Sequence, residues 1–281
     1  MSKISENKKR FWLEKLDCFS ISGNDAKKFL NGITTGNIIN SNNKVFKTCL
    51  LTPNGVLRAL IEIIFLKNKL EFIILEGNTN DIRDYFHKII FPVDDVSLSD
   101  TFSIYRFQEA DDINSWKLYQ PVFFKNDDQE YEIYKNKLDL LNSNELKLWK
   151  INQAIPSLDN EIDGKNNPLE LGLTDLIDFN KGCFLGQETM SKIKNVSSLK
   201  QEIRVWNSMD SIVNLGSENI NLYTDASKEN SVGKITSFYK LDSQIKGLGI
   251  IKRKYLEIGN TFYSEIYGKV KIEKSTGSNF L

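Results

Sequence analysis

Phe179-Asn180-Lys181-Gly182-Cys183-Phe184-Leu185-Gly186-Gln187-Glu188-Thr189 brings a thiol, aromatic rings and two glycines four positions apart into one short stretch. Glycine at both positions permits a tight turn, and Gln187-Glu188 marks the start of a helix behind it. One reading is chemical: exposed backbone amides, a helix N-terminus and Lys181 would together lower the pKa of the Cys183 thiol. The other is a glycine-permitted turn around a buried, inert Cys183. Residue chemistry alone leaves both open.

Upstream of this stretch, Pro156 to Pro168 is rich in Asp, Asn, Gly and Glu. It predicts a long exposed loop, of a length that suits a lid closing over a site. Before it, Asn144 is expected to cap a helix from Glu145 towards Ala154, with Leu148, Ile151 and Ile155 on one face, and residues 126–147 are largely polar. Further back, Cys49-Leu50-Leu51-Thr52, the turn Pro53-Asn54-Gly55 and Val56 to Phe65 spell strand, turn, strand. Leu70 to Leu75 predicts a third strand, and Thr79 to Ile90 a helix through Ile82, Tyr85, Phe86 and Ile89. Residues 11–22 predict a short strand or turn. Ser22 to Asp25 then caps a helix carrying Ala26, Phe29 and Leu30, which ends in a turn bracketed by Gly32 and Gly36. Between Val96 and Phe124, Phe102 to Phe107 and Leu118 to Pro121 predict further strands.

Downstream, glycine-separated short strands recur at Ile203–Trp206, Asn221–Tyr223, Val232–Ile235, Gly247–Ile251 and Lys269–Glu273, which predicts a C-terminal β-barrel or sandwich. The whole is an α+β chain.

Composition narrows the function. Of 281 residues, 40% are hydrophobic and 26% charged, so the chain can bury a core. Lys plus Arg and Asp plus Glu are equal at 37, which gives no global field for nucleic acid and argues against such a role. No apolar run reaches the length of a membrane span, and the N-terminus lacks the apolar region of a secretory signal; the expected location is the cytoplasm. Cys18, Cys49 and Cys183 are too scattered for a disulfide scaffold or for metal-ligand spacing, and the first two are expected in the core. The single histidine, His87, is expected to flank the helix before Ile89; it removes most zinc sites and leaves one residue through which a catalytic triad could run.

Lys181-Gly182-Cys183-Phe184-Leu185-Gly186-Gln187-Glu188 resembles the signature of the folate-binding, YgfZ-like relatives of the glycine cleavage T-protein, an aminomethyltransferase. Four other patches resemble the same family in order: Phe29-Leu30-Asn31-Gly32 with Thr35, Leu50 to Gly55, Pro168-Leu169-Glu170-Leu171-Gly172-Leu173, and Val232 to Ser237. The resemblance implies an aminomethyltransferase-like fold of three lobes around a central opening. Residues 1–48 with 120–197 would form a first, discontinuous lobe, 49–119 a second α/β lobe interlocked with it, and 198–281 a C-terminal β-barrel.

The function implied is that of a tetrahydrofolate-binding accessory protein for iron-sulfur cluster assembly or repair. Its partners would be folate and iron-sulfur assembly or client proteins, with no membrane. Cys183 would be a redox or exchange thiol; one thiol cannot hold a cluster, so no stable metal is expected in the monomer. Glu170 would accept the ring N–H and exocyclic amine of the pterin. Asn31, Thr35 and Asn37 would line the opening, Gln187 and Glu188 would fix the cysteine loop or touch ligand, and Lys192 and Arg204 would attract the glutamate tail. By residue chemistry alone, these are capping, turn and surface positions.

Departures from the family pattern matter. Phe184 stands where Tyr is usual, Lys192 where Arg is common, Val56 where a basic residue follows the turn, with Arg58 two positions on, and Asn37 where an acid is common. An aspartate linked with aminomethyl transfer is missing after the hairpin turn, and Glu62 is the first carboxylate there. A displaced carboxylate is a poor substitute in chemistry that depends on hydrogen-bond reach. Aminomethyl transfer is therefore the alternative function, with an interaction scaffold that has lost folate as a third.

Overall fold

A computed structural model describes residues 9–41, 43–111, 119–125, 129–158, 160–193, 199–208 and 220–273. Residues 1–8, at the N-terminus expected to lack a secretory signal, and Leu118 of the strand expected at 118–121 lie outside them.

The longest element is β1 (Arg10–Ser22), which the sequence marks as a short strand or turn. It is long because it is central: its first half pairs with β6 (Phe102–Ala110) and its second half with β4 (Lys69–Glu76) and the short β5 (Ser97–Leu98). The hairpin β2 (Val45–Leu51) and β3 (Leu57–Phe65) turns at Gly55, where φ is +76°, a conformation that favours glycine. With β7 (Val122–Phe124), the sheet runs β2-β3-β4-β1-β6-β7, with β5 beside β1. Thus β1, from residues 1–48, lies between strands drawn from 49–119.

Side-chain alternation along β3 gives the sheet two buried faces. Ala59, Ile61 and Ile63 meet α1 (Ala26–Ile33) and α2 (Thr79–Ile89), while Leu60, and Leu57 on the far side of a bulge at Arg58, join a core shared with α4 (Ser143–Asn152) and the barrel. Phe86 holds α2 in place through edge-on contacts with Phe19, Phe29 and Phe72 at 5.2–5.7 Å. Asn78 caps this helix through the Asp81 amide.

Three local expectations are corrected. Asn142, not Asn144, caps α4: its Oδ1 accepts from the Asn144 and Glu145 amides, and Glu145 accepts from the Asn142 amide, a closed capping box that starts the helix earlier. Residues 129–137 form a helix, α3 (Gln129–Lys137), inside the stretch that reads only as polar. Tyr131 and Tyr134 attach it to Tyr105, Phe107 and Phe124 at 4.3–5.0 Å. Tyr119 to Pro121 is not strand, and pairing begins at Val122.

The C-terminal strands close into a six-stranded barrel in the order β10-β11-β8-β13-β12-β9. Its strands are β8 (Gln201–Ser208), β9 (Ile220–Tyr223), β10 (Ser231–Lys240), β11 (Ile245–Lys252), β12 (Thr261–Ser264) and β13 (Gly268–Glu273). Only β12 escapes the sequence reading. At Gly247 a Cβ would fall 2.0 Å from the Ser237 carbonyl oxygen and 2.6 Å from the Trp206 ring, which explains glycine there. Trp206, Val270 and Ile272 fill the interior. Among the described residues no helix is long and apolar enough to cross a membrane.

Candidate functional site

Four of the five motif patches meet in space: the signature touches Phe29–Thr35 and the hairpin turn, and Leu51, Leu169 and Phe184 share one core. Lys181 reaches the end of α1, where its Nζ donates to the carbonyl oxygens of Asn31, Thr34 and Gly36 at 2.5, 2.8 and 2.7 Å. Asn31 is in the last turn of α1 and Thr34 is its C-cap, where a helix end leaves carbonyls unsatisfied, and Gly36 belongs to the turn that follows. Burial pushes the Lys181 pKa down to about 8, so the ammonium is held by dipoles against a desolvation cost. Gly186, at φ +78°, stacks on the hairpin turn: a Cβ there would lie 2.8 Å from the Thr52 carbonyl oxygen and 2.9 Å from the Gly55 Cα. The Leu57 amide donates to the Asn166 carbonyl, and the Ile203 amide of β8 donates to the Glu170 carbonyl.

The segment 156–168 is tied down rather than free to act as a lid. Glu161, fully buried, accepts from the Ser157 amide and hydroxyl and from the hydroxyls of Thr236 and Ser237 on β10. Asp163 accepts from Lys234 at 2.9 Å.

The residues singled out in the sequence divide into buried and exposed sets. Thr35 is fully buried, donating to the Leu176 carbonyl at 2.7 Å and lying 3.1 Å from the Thr48 hydroxyl. Asn31 accepts from the Ile38 amide and Asn37 from the Asn40 amide. Glu170 is buried and accepts from the Asn167 amide, while Asn167 accepts from the Glu170 amide. Burial raises its pKa, against the hydrogen bonds from Asn167 and Gln201. Arg204 lies in β8, 3.1 Å from Glu202. Gln187 opens α5 (Gln187–Lys192) and accepts from the Phe184 amide. Glu188 and Lys192 form an exposed pair at 2.8 Å. Cys183 is exposed, whereas Cys18 and Cys49 are buried. Burial pushes the Cys18 thiol up to about 12. The Lys181 ammonium is committed to the α1 carbonyls.

A second arrangement, which the sequence reading misses, crosses the sheet. Lys47, Glu62, Arg106, Glu14, Lys150 and Glu76 alternate in sign. Lys47 lies 3.2 Å from Glu62, which accepts from Arg106 at 2.6 and 2.8 Å. Arg106 sits opposite Glu14 in the β1–β6 pair, and Lys150 of α4 bridges Glu14 at 2.8 Å and Glu76 at 3.3 Å. Burial would raise the Glu62 pKa, but Arg106 and Lys47 outweigh it and bring the carboxyl down to about 2. For Glu14, burial is likewise outweighed, chiefly by Lys150, and its pKa is lowered. Lys150 loses from burial but gains more from Glu14 and Glu76, so its pKa rises. Glu62 and Glu14 are fixed acceptors at neutral pH. A clue was present: Glu62 and Arg106 interrupt apolar strand runs, and a charge placed there needs a partner.

Each end of this line opens on a cavity. At one end, a space of about 550 Å³ is bounded by Asn37, Phe46, Lys47, Glu62, Asp175 and Asp178. At the other, about 540 Å³ lies where sheet, α4 and barrel meet, with Glu14, Glu76 and Lys150 beneath walls that include Leu146, Ile155 and Leu248. Arg58 belongs elsewhere, stacked on Tyr85 at 4.2 Å beside a third cavity. Among the described residues no cluster of three or more His, Cys, Asp or Glu is arranged to hold a metal ion.

No protein-family profile matches the chain. Over 114 residues it is 36% identical to a chloroplastic protein of Arabidopsis thaliana provisionally named a transferase; that match covers 40% of this chain and only a quarter of the plant protein. It is 24% identical over 248 residues to an uncharacterised protein of Haemophilus influenzae, covering 82% and 84% of the two chains. The glycine cleavage system aminomethyltransferase T of Bartonella henselae superposes on 94% of this chain and 85% of its own, with a TM-score of 0.74 and 10% identity. The fold is aminomethyltransferase-like: an α+β body and a closed C-terminal barrel.

Proposed function

We propose that this chain binds a reduced folate and uses it on the aminomethyltransferase fold. The observation that carries this reading is the likeness of nearly the whole chain to a solved aminomethyltransferase of the glycine cleavage system. On that likeness, folate-dependent aminomethyl transfer is the better-supported use of the ligand. Glu62 would contribute as a fixed negative charge, because a carboxyl held near pKa 2 carries no proton at neutral pH.

The exposure of Cys183, where Cys18 and Cys49 are buried, supports a second reading. In that reading the folate-loaded protein supports iron-sulfur cluster assembly or repair, with Cys183 exchanging with a client protein.

Anaerobic calorimetric titration of the reduced protein with tetrahydrofolate tests the shared premise. Saturable one-to-one binding is expected, and no heat of binding up to millimolar ligand would overturn it. Incubation with an aminomethylated lipoyl carrier then separates the two uses. Formation of methylenetetrahydrofolate supports transfer. Its absence, with loss of iron-sulfur enzyme activity in cells carrying only Cys183→Ser, supports the accessory role.

A further inference from the structure

The face of the sheet opposite the charge line carries an apolar groove. A space of about 660 Å³ is lined by Phe29 and Ile33 of α1, Tyr85 and Ile89 of α2, and Leu185 of the signature loop. Phe91 and Val93 also line it and are 66% and 88% exposed, more than any other large apolar side chain among the described residues. Their loop is pinned at both ends. The Phe91 amide donates to the Asp94 carboxylate and the Asp94 amide to the Phe91 carbonyl, while the Asp95 amide donates to the Asp25 carboxylate and the Asp25 amide to the Asp95 carbonyl. Two apolar tips held in water by a fixed turn are preorganised for contact with another molecule.

Gly32 supplies an independent observation. It lies inside α1 and lines the same groove, and a Cβ there would meet no atom within 4 Å. Its φ is not positive, so neither the backbone nor a neighbour in this chain requires glycine. Glycine weakens a helix, and the use left to it is to let another backbone come close. The length suits a helix: α1 spans about 12 Å and α2 about 16 Å, and anchors at i, i+4 and i+7 span about 10 Å. Charge selects its flank. Asp25 and Asp94 line the groove against one cation, Lys28, with Asp95 beside them, while Asp84 and Lys88 of α2 offset each other. The excess is negative. We propose that this groove docks a helical segment of a partner protein, with apolar anchors against Phe29, Ile89, Phe91 and Val93, its backbone over Gly32, and a lysine or arginine facing Asp25 and Asp94. Ile61 and Ile63 point to this side of the sheet and Glu62 to the other, so the docking surface is independent of the folate reading.

The probe is a dye-labelled, stapled helical peptide with leucine at i, i+4 and i+7 and lysine on its flanks, titrated with the full chain by fluorescence anisotropy at about 0.15 M salt. A twin peptide carries glutamate in place of lysine. The parent should bind the lysine peptide saturably, one to one, and the glutamate peptide at least about fivefold more weakly. Phe91→Ser and Val93→Ser, at positions already in water, should each weaken binding about tenfold without lowering the thermal midpoint. Gly32→Leu places a side chain in the open space; it should weaken binding at least about tenfold while the midpoint holds or rises. The double variant Asp25→Asn/Asp94→Asn keeps the acceptors that pin the loop but removes their charge, and should erase most of the preference for lysine. Ile258→Ser, an exposed apolar residue outside the groove, should stay within about twofold. No saturable binding by the parent, parent-like binding by Gly32→Leu or Val93→Ser, or equal affinity for the two peptides would overturn the proposal. So would a dimer in sedimentation equilibrium that Val93→Ser dissolves, because the groove then belongs to a second copy of this chain.

Discussion

Lys181 and Lys150 are both withdrawn from water, yet their pKa values move in opposite directions. Lys181 sits among three carbonyl oxygens and falls to about 8, whereas Lys150 sits between two carboxylates and rises. Carbonyl dipoles satisfy the N–H groups without repaying the full loss of hydration, while counterions more than repay it. The signature loop is therefore fastened by hydrogen-bond geometry, and the sheet by charge alternation.

The largest expected effect breaks the charge line. Arg106→Met leaves Glu62, which is 1% exposed, with Lys47 as its one remaining counterion among the described residues, and should cost about 3 kcal/mol in urea unfolding. Replacing Arg106 and Glu62 together by apolar residues should recover much of that loss, because the stranded charge is then gone; no recovery would break the distinction drawn here.

Lys181→Met should cost about 1–3 kcal/mol by removing the donor shared by the Asn31, Thr34 and Gly36 carbonyls, again read by urea unfolding. The pH dependence sharpens the contrast. Between about pH 8 and 10.5 the unfolded state holds the Lys181 proton more tightly than the native state, so this group makes stability rise with pH across that window. The difference in stability between parent and Lys181→Met should grow there. For Glu62 the slope has the same sign at the acid end, because its native pKa is also lowered: stability rises with pH between about 2 and 4.5, so its contribution is intact above about pH 4.5 and disappears as pH falls through about 2. Acid titration of parent and the Glu62/Arg106 double variant checks this.

Gly186→Ala should cost at least about 1–2 kcal/mol, the penalty of a left-handed conformation, with the approach to Thr52 adding to it; thermal unfolding reads the loss. The smallest effect is expected at Glu188→Ala. Its pair with Lys192 is exposed, and the unfolding midpoint should stay in place.

Much of the fold is legible in local sequence. Pro53-Asn54-Gly55 between apolar runs predicts a hairpin, and the glycine-spaced strands after Lys200 predict the barrel. The errors fall where distant partners decide. Residues 129–137 carry little apolar periodicity and are fastened by two tyrosines, and the loop at 156–168 looks free until Thr236 and Ser237 on β10 reach Glu161. At the site, Lys181, Gly186 and Cys183 stand out by spacing. Glu14, Glu76 and Lys150 do not, because they are separated in sequence by tens of residues and each looks like an ordinary surface charge.

The sequence by itself determined the elements whose causes lie within a few residues: turns that need glycine, strands that alternate, helices that begin at a cap, and the order of motif patches. Tertiary structure alone decided that β1 lies in the middle of the sheet, that Lys181 ends on α1 rather than at the thiol, and that six scattered charges form one alternating line. Hydrogen bonds of turns and caps are local, but the cost of burying a charge depends on what the rest of the chain brings to within a few ångströms of it.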